Sequence, residues 1–335
     1  MSDDRLNRSL EVAMGSIAMD ALRSPDILEI MLNPCGSLWL ERFGEPMFEA
    51  GSIAPELGRR IVSLVASALG TIITRESPRV EGEFPLDGSR FEGTDSPIVP
   101  GPSFVIRKKP NRIFTLESYV ENNILAQNSM LFLHESIRRK CNILVVGGTG
   151  SGKTTFVNGM IEALSRICPH DRLVTIEDTY ELQVSSKNQV MFRTSDHVDM
   201  QELTRITMRY RPDRIIVGEV RDGAALDLLK AWNTGHPGGI GTLHADSAED
   251  ALGRLEDLVA ERLVSPMHRL ISQAINVVVF IEKTPDGRRV SEVAMVHGYD
   301  RIKASYSMEY IPNNKRRPLQ DAPWYQAYIS QGEPA

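Results

Sequence analysis

Residues 142 to 155 read NILVVGGTGSGKTT, and within them Gly147, Gly152, Lys153 and Thr154 satisfy the spacing G-x-x-x-x-G-K-[ST]. Glycines at such spacing let backbone amides close around phosphate oxygens, and a helix starting at the lysine adds the positive end of its dipole. Lys153 then reaches the outer phosphates and the Thr154 hydroxyl can ligate magnesium, so the ligand implied is a nucleotide's phosphates with Mg2+. The cradle comprises Gly147, Gly148, Thr149, Gly150, Ser151, Gly152, Lys153, Thr154 and Thr155. An ordinary glycine-rich turn would match the bare pattern, but the apolar run before it and the helical pattern after it supply the strand and helix that the chemistry needs.

Three further stretches carry polar groups to the ends of apolar runs. RPDRIIVGEVRD ends a buried strand on Glu219, with Gly218 where many phosphate-binding proteins carry an aspartate. Glu219 can orient the attacking water, because phosphoryl transfer asks a protein mainly for positioning and charge neutralisation; its plain alternative is an ion pair with Arg221. RLVTIEDTYEL brings Glu177, Asp178 and Glu181 to a third strand end, an acidic edge that offers magnesium oxygen ligands or else forms a solvated loop. GHPGGIGTLHADS ends a strand on His244, which can donate to a γ-phosphate and respond to its loss, while His236 serves the turn. The basic cluster Arg107, Lys108 and Lys109 in SFVIRKKP is either a solvated connection or a source of cationic groups for the phosphates.

These groups need elements to hold them. The runs at Ile143, Leu173, Arg214, Gly239 and Val277 do not alternate, as expected of strands buried on both faces of a mostly parallel sheet. Between them, residues 154–167, 200–210, 224–232 and 247–262 read as helices, which predicts a three-layer α/β domain. Upstream, residues 6–22 and PELGRRIVSLVASALG read as helices and SLWLERFGEPMFEA as a hairpin turning near Gly44 to Pro46, a smaller α+β domain. Pro97, Pro100, Gly101, Pro102 and Pro110 suit an extended connection. The expected organisation is therefore residues 1–102 as the first domain, 103–115 as a linker, 116–312 as the α/β domain and 313–335 as a tail.

The 335 residues, 41% hydrophobic and 24% charged, fit two globular domains. Net charge is −6, divided as −7 up to Ile106 and +1 beyond it, so no basic stripe marks a nucleic-acid partner. Three scattered cysteines without paired spacing argue against a disulfide framework or a structural zinc and suit a reducing cytosol. No stretch reads as a signal peptide or a membrane span.

Taken in order, the phosphate loop, the acidic strand end, RIIVGE and GTLHA resemble the secretion ATPase superfamily that drives type II and type IV secretion and type IV pili. With EGEFPLDGSRFEG and SFVIRKKP upstream, the chain looks most like the conjugal-transfer ATPases of the TrbB type, from about residue 25 to 296. The resemblance implies an α+β domain followed by a RecA-like P-loop domain, a hexameric ring, and association with other type IV secretion components at the cytoplasmic face of the inner membrane. It implies catalytic roles for Lys153, Glu219, His244 and Glu177, magnesium near Thr154, Asp178 and Glu181, and an approach of Arg107 to the phosphates. Cys141 and Cys168 do not form the four-cysteine zinc module of type II secretion ATPases. Two other readings remain open at this level: a RecA-like motor on nucleic acid, and a nucleotide-controlled scaffold that hydrolyses little.

Overall fold

The computed structural model describes residues 3–312, apart from 43, 44, 110–112, 196, 264 and 286. The chain divides into two compact units, Met1–Arg112 and Ile113–Ala335. Residues 313–335, expected to be a tail, lie outside the described residues, as do Gly44 of the expected hairpin turn and Pro110.

The first unit begins with helix α1 (Asp3–Arg23), broken at Gly15, where φ of 71° leaves the helical region. Strands β1 (Ile27–Leu32), β2 (Ser37–Arg42) and β3 (Phe48–Ser52) follow, then helix α2 (Pro55–Ala68) and strands β4 (Arg79–Glu83), β5 (Arg90–Thr94) and β6 (Ser103–Arg107). They form one sheet in the order β3-β2-β1-β6-β5-β4, whose inward Ile30, Leu38, Phe91, Phe104 and Ile106 pack with Ile61 and Val65 of α2 and Leu10 and Met14 of α1. Fully burying side chains of this size contributes about 1.5–3 kcal/mol each before entropy is counted.

The expected linker is corrected here. Ser103–Arg107 form β6, which pairs antiparallel with β1 on one side and β5 on the other. Pro97, Pro100 and Pro102 lie just before the strand, and within it Phe104 and Ile106 point inward while Val105 and Arg107 are exposed. Lys108 is also no part of a solvated cluster: it is buried, and its ammonium donates to the carbonyls of Ala21 and Ser24, capping the end of α1. Burial pushes this ammonium below the usual lysine range, against the opposing pull of Asp87 and Asp26.

The second unit contains α3 (Leu116–Glu121), α4 (Gln127–Arg138), β7 (Ile143–Val146), α5 (Lys153–Ile167), β8 (Leu173–Glu177), β9 (Gln189–Arg193), α6 (Met200–Thr207) and β10 (Arg214–Val217). It continues with α7 (Ala224–Asn233), β11 (Ile240–Leu243), α8 (Ala248–Ala260), α9 (His268–Ala274), β12 (Val277–Thr284), β13 (Gly287–Asp300) and β14 (Ser305–Tyr310). The sheet order is β14-β13-β12-β7-β11-β10-β8-β9, parallel from β12 to β9 and antiparallel at β13 and β14. The two faces of this sheet bury separate cores. Leu144, Val146, Ile215, Val217 and Val278 face α7, α8 and α9, whereas Ile143, Val145, Ile216, Val277 and Val279 face α4 and α5. Strands that are buried on both sides carry no polar alternation, which is why their runs read as continuous.

In the first unit, Arg59 of α2 holds Asp95 through two hydrogen bonds, Nε to Oδ2 at 2.7 Å and Nη2 to Oδ1 at 3.3 Å. Burial works to raise the Asp95 carboxyl, but hydrogen bonds from Arg59 and the Ser96 amide outweigh it and leave the carboxyl below its usual range. A carboxylate depressed in this way binds fewer protons folded than unfolded, so its contribution is present above about pH 4 and lost as pH falls through the lower folded value. Urea unfolding of the wild type should therefore lose more stability between about pH 5 and pH 3 than that of Asp95→Asn, by roughly 1 kcal/mol given the half-exposed arginine.

Candidate functional site

The register of the parallel strands brings the polar groups together. β7 pairs with β11, β11 with β10 and β10 with β8, so their carboxyl ends lie side by side. Ligands of open parallel sheets bind beyond this edge. The loop after β7, Glu219 two residues past β10, His244 just past β11 and Glu177 at the end of β8 all stand there.

The loop itself is shaped by its glycines. Gly147, Gly150 and Gly152 have φ of 157°, 70° and 96°, and a Cβ on Gly147 would lie 2.1 Å from the Ile281 carbonyl oxygen. Any other residue at 147 would push the loop off β12. Space is open around Gly148 and Gly150, where a side chain would meet nothing within 4 Å. The buried Lys153 donates to the carbonyls of Gly147 at 2.8 Å and Gly148 at 3.0 Å, and so closes the loop on itself. The Ser151 hydroxyl, in a residue that is 2% exposed, has no hydrogen-bond partner among the described residues, a polar atom left over inside a loop of this shape. Thr154 and Thr155 are half-buried in the first turn of α5, and Thr149 precedes the glycine at 150.

From Lys153 a chain of polar contacts runs along the sheet edge. Lys153 Nζ lies 3.4 Å from His244 Nδ1, and His244 Nε2 lies 2.9 Å from Glu219 Oε1. The geometry suits an imidazole that donates from Nε2 and accepts at Nδ1. Glu219 Oε2 accepts from Arg221 Nε at 2.8 Å, the ion pair read from the sequence as its plain alternative, while Oε1 faces His244. Arg221 reaches on to Asp178 Oδ2 at 2.6 Å, and Thr194 donates to Asp178 Oδ1 at 3.0 Å. Four motifs separated by up to about a hundred residues thus form one connected array.

Glu177, the last residue of β8, turns its side chain inward. Its side chain is buried, and Oε1 accepts from the amides of Glu181 at 2.9 Å and Leu182 at 2.8 Å, which winds the segment after β8 into place. The departure at Gly218 follows from this: a Cβ there would sit 3.0 Å from Glu177 Cγ. Glycine at 218 leaves the room that the Glu177 side chain occupies. Asn158 of α5, which the sequence reading did not single out, secures the same segment by donating to the Glu181 carbonyl at 3.1 Å and accepting from the Gln183 amide at 2.8 Å. Its only sequence signal is a polar residue on the inward face of an apolar helix.

Among the described residues, no group of three or more His, Cys, Asp and Glu side chains could hold a metal. Asp178 is committed to Arg221 and Thr194, and Thr154 stands beside Lys153. These surroundings fit a magnesium ion that arrives with phosphates and keeps waters, which asks for few protein ligands, and do not fit a dedicated protein cage. Arg107 closes β6 of the first unit, half-exposed, with Nε 3.7 Å from Glu29 Oε1 on the neighbouring strand.

A family described as "Type II/IV secretion system protein" matches residues 82–297. The chain belongs to this family. "Probable conjugal transfer protein TrbB" of Sinorhizobium fredii is 46% identical over 298 residues, 89% of this chain and 92% of that protein. "Type IV secretion system protein PtlH" of Bordetella pertussis is 31% identical over 299 residues, 78% of this chain and 87% of that protein. Among solved structures, the Legionella pneumophila ATPase DotB has a TM-score of 0.60 at 19% identity, over 90% of this chain and 82% of that one. The likeness to such structures is one of fold: an N-terminal domain followed by a RecA-like domain. The matched residues of the secretion family contain all four strand-edge motifs.

The buried role of Glu177 yields a prediction about stability. Glu177→Ala would strand two inward-facing amides and should lower unfolding free energy in urea by about 2–4 kcal/mol, whereas Glu177→Gln, which keeps an acceptor oxygen, should cost less than half as much.

Proposed function

We propose that this protein is an ATP-hydrolysing motor of a conjugative type IV secretion system. The single observation that carries the reading is the contact chain from Lys153 through His244 to Glu219, which joins the phosphate loop to a carboxylate and an imidazole on neighbouring strands. The secretion family and relatives named for conjugal transfer and type IV secretion support the setting.

In this reading the loop from Gly147 to Thr155 binds the phosphates of ATP. Lys153 moves its donors from the loop carbonyls to the β and γ oxygens, and the Thr154 hydroxyl holds magnesium, with Asp178 and Glu181 at the acidic edge nearby. When bound, magnesium neutralises phosphate charge and so lowers the barrier to phosphoryl transfer. Glu219 positions the attacking water, and His244, placed between Glu219 and Lys153, senses whether a γ-phosphate is there. Glu177 acts through the segment that it positions. Arg107 is a further candidate cation for the phosphates, as the family resemblance implies.

We further assign residues 1–102 and the adjoining β6 to an N-terminal domain and 113–312 to the ATPase domain. Six copies form a ring at the cytoplasmic face of the inner membrane, working with other type IV secretion components in pilus assembly or substrate transfer. No helix among the described residues is long and apolar enough to cross a membrane, which is compatible with peripheral attachment.

Steady-state ATP hydrolysis by the purified chain tests this reading. Lys153→Ala should weaken ATP binding and abolish turnover, and Glu219→Gln should reduce turnover by roughly a hundredfold or more while retaining ATP, as expected for loss of a water-positioning group. Equal turnover in wild type and both variants would overturn the site assignment.

A further inference from the structure

The phosphate loop is contacted by a second cationic side chain that none of the four motifs contains. β12 makes its last rung with β7 at Phe280 and Val146, then runs on to Thr284 and returns as β13, pairing Lys283 with Arg288 and Thr284 with Gly287. The hairpin therefore extends past the sheet edge on the side where the loop stands. Its backbone presses against Gly147 through the Ile281 carbonyl, and its Arg288 reaches the other end of the loop. Arg288 Nη2 donates to the Gly150 carbonyl at 3.3 Å. Arg288 Cδ and Nε lie 3.0 and 3.1 Å from where a Cβ on Gly152 would be. Gly147 is thus required by the approach of this hairpin's backbone as well as by its own φ, whereas at Gly152 the φ of 96° requires glycine and the nearby group is the flexible Arg288 side chain.

We propose that Arg288 is a positioning residue of the nucleotide site, holding the Gly150 turn of the loop and placing a permanent positive charge beside the polyphosphate. This rests on the reading of the loop as an ATP site. Lys153 holds the loop from within by the carbonyls of Gly147 and Gly148, and Arg288 holds it from the hairpin by the carbonyl of Gly150. Arginine suits the task, since its guanidinium stays charged at any working pH and can keep one donor on the carbonyl while others face an anion. Half-buried at the rim, its charge acts through partly aqueous surroundings, so its effect is moderate, grows with the number of phosphates on the ligand and weakens with salt.

The test compares Arg288→Ala, Arg288→Lys, Arg289→Ala and Lys153→Ala with the wild-type full chain, using ATP, ADP and AMP as probes in binding titrations and ATP in steady-state kinetics. Arg289 is the exposed next residue on the strand and points to the opposite face. Arg288→Ala should raise the ATP Kd and KM roughly five- to tenfold, change kcat less than twofold, and affect AMP least, with the difference shrinking at high salt. Arg288→Lys should recover most of the affinity, and Arg289→Ala should resemble wild type. Wild-type ATP Kd and KM in Arg288→Ala, with binding lost in Lys153→Ala, would overturn the proposal and leave the ATP site standing. Wild-type ATP binding in Lys153→Ala would overturn both. Equal weakening in the Ala and Lys variants at 288 with collapse of kcat, or equal weakening in Arg289→Ala, would mean that the hairpin matters only as packing and would likewise overturn the role given to Arg288.

Discussion

Everything at the candidate site depends on the register between β7, β11, β10 and β8. A one-residue slip in any of these ladders would exchange the two faces of a strand that is buried on both, and would move its terminal polar residue by more than 3 Å along the edge. The two hydrophobic cores oppose such a slip, because each strand contributes alternate side chains to each core. Side chains on Val146, Val217 and Leu243 thereby fix where the loop, Glu219 and His244 begin. The 2.9 Å contact between His244 and Glu219 is a consequence of packing several residues away from it.

A second constraint is set at the opposite edge of the same strands. Asn142, 2% exposed, accepts from the amides of Gly238 and Gly239 at 2.7 and 2.9 Å and donates to the Ala274 carbonyl at 2.7 Å, while its own amide donates to Asn276 Oδ1. The entries to β7, β11 and β12 are thus tied to one side chain. At the entry to β10, the buried Arg214 donates to Asp171 Oδ2 at 2.7 Å and contacts the Gly238 carbonyl. Polar groups this deep would be costly unless satisfied, and their bonds favour one register over others. Apolar side chains drive the strands together, and these polar knots decide their alignment.

Sequence pattern made some of this legible and hid the rest for identifiable reasons. The strands at Ile143, Leu173, Arg214, Ile240 and Val277 were readable because burial on both faces removes polar alternation. Strands such as β4 and β5 were not: Arg79, Glu81, Glu83, Arg90 and Glu92 lie among one or two inward residues each, and charge dominates their local composition. The prolines before β6 pointed to an open connection although the strand begins immediately after Pro102. Likewise the motifs marked Lys153, Glu219 and His244 because glycine, carboxylate and imidazole at strand ends have few structural substitutes. Glu177 and Asp178 show the limit of that logic. Adjacent carboxylates in sequence give no clue that one turns inward to hold two amides while the other turns outward to Arg221.

That divergence follows from where β8 ends. Glu177 is the last residue of β8 and Asp178 the first beyond it, where the chain bends, so the two carboxylates enter different surroundings whatever their shared chemistry. The inward one can be tolerated only where backbone amides replace its lost water, and the amides of Glu181 and Leu182 do so. It also needs volume, which Gly218, just past the end of the adjacent strand, leaves by having no side chain. An aspartate at 218 would compete for that space and add a second carboxylate beside the first, two like charges in a region with little water to screen them. Glycine before Glu219 is therefore coupled to glutamate at 177. The carboxylate that this strand edge does carry is Glu219, one residue further on, where His244 and Arg221 surround it with donors.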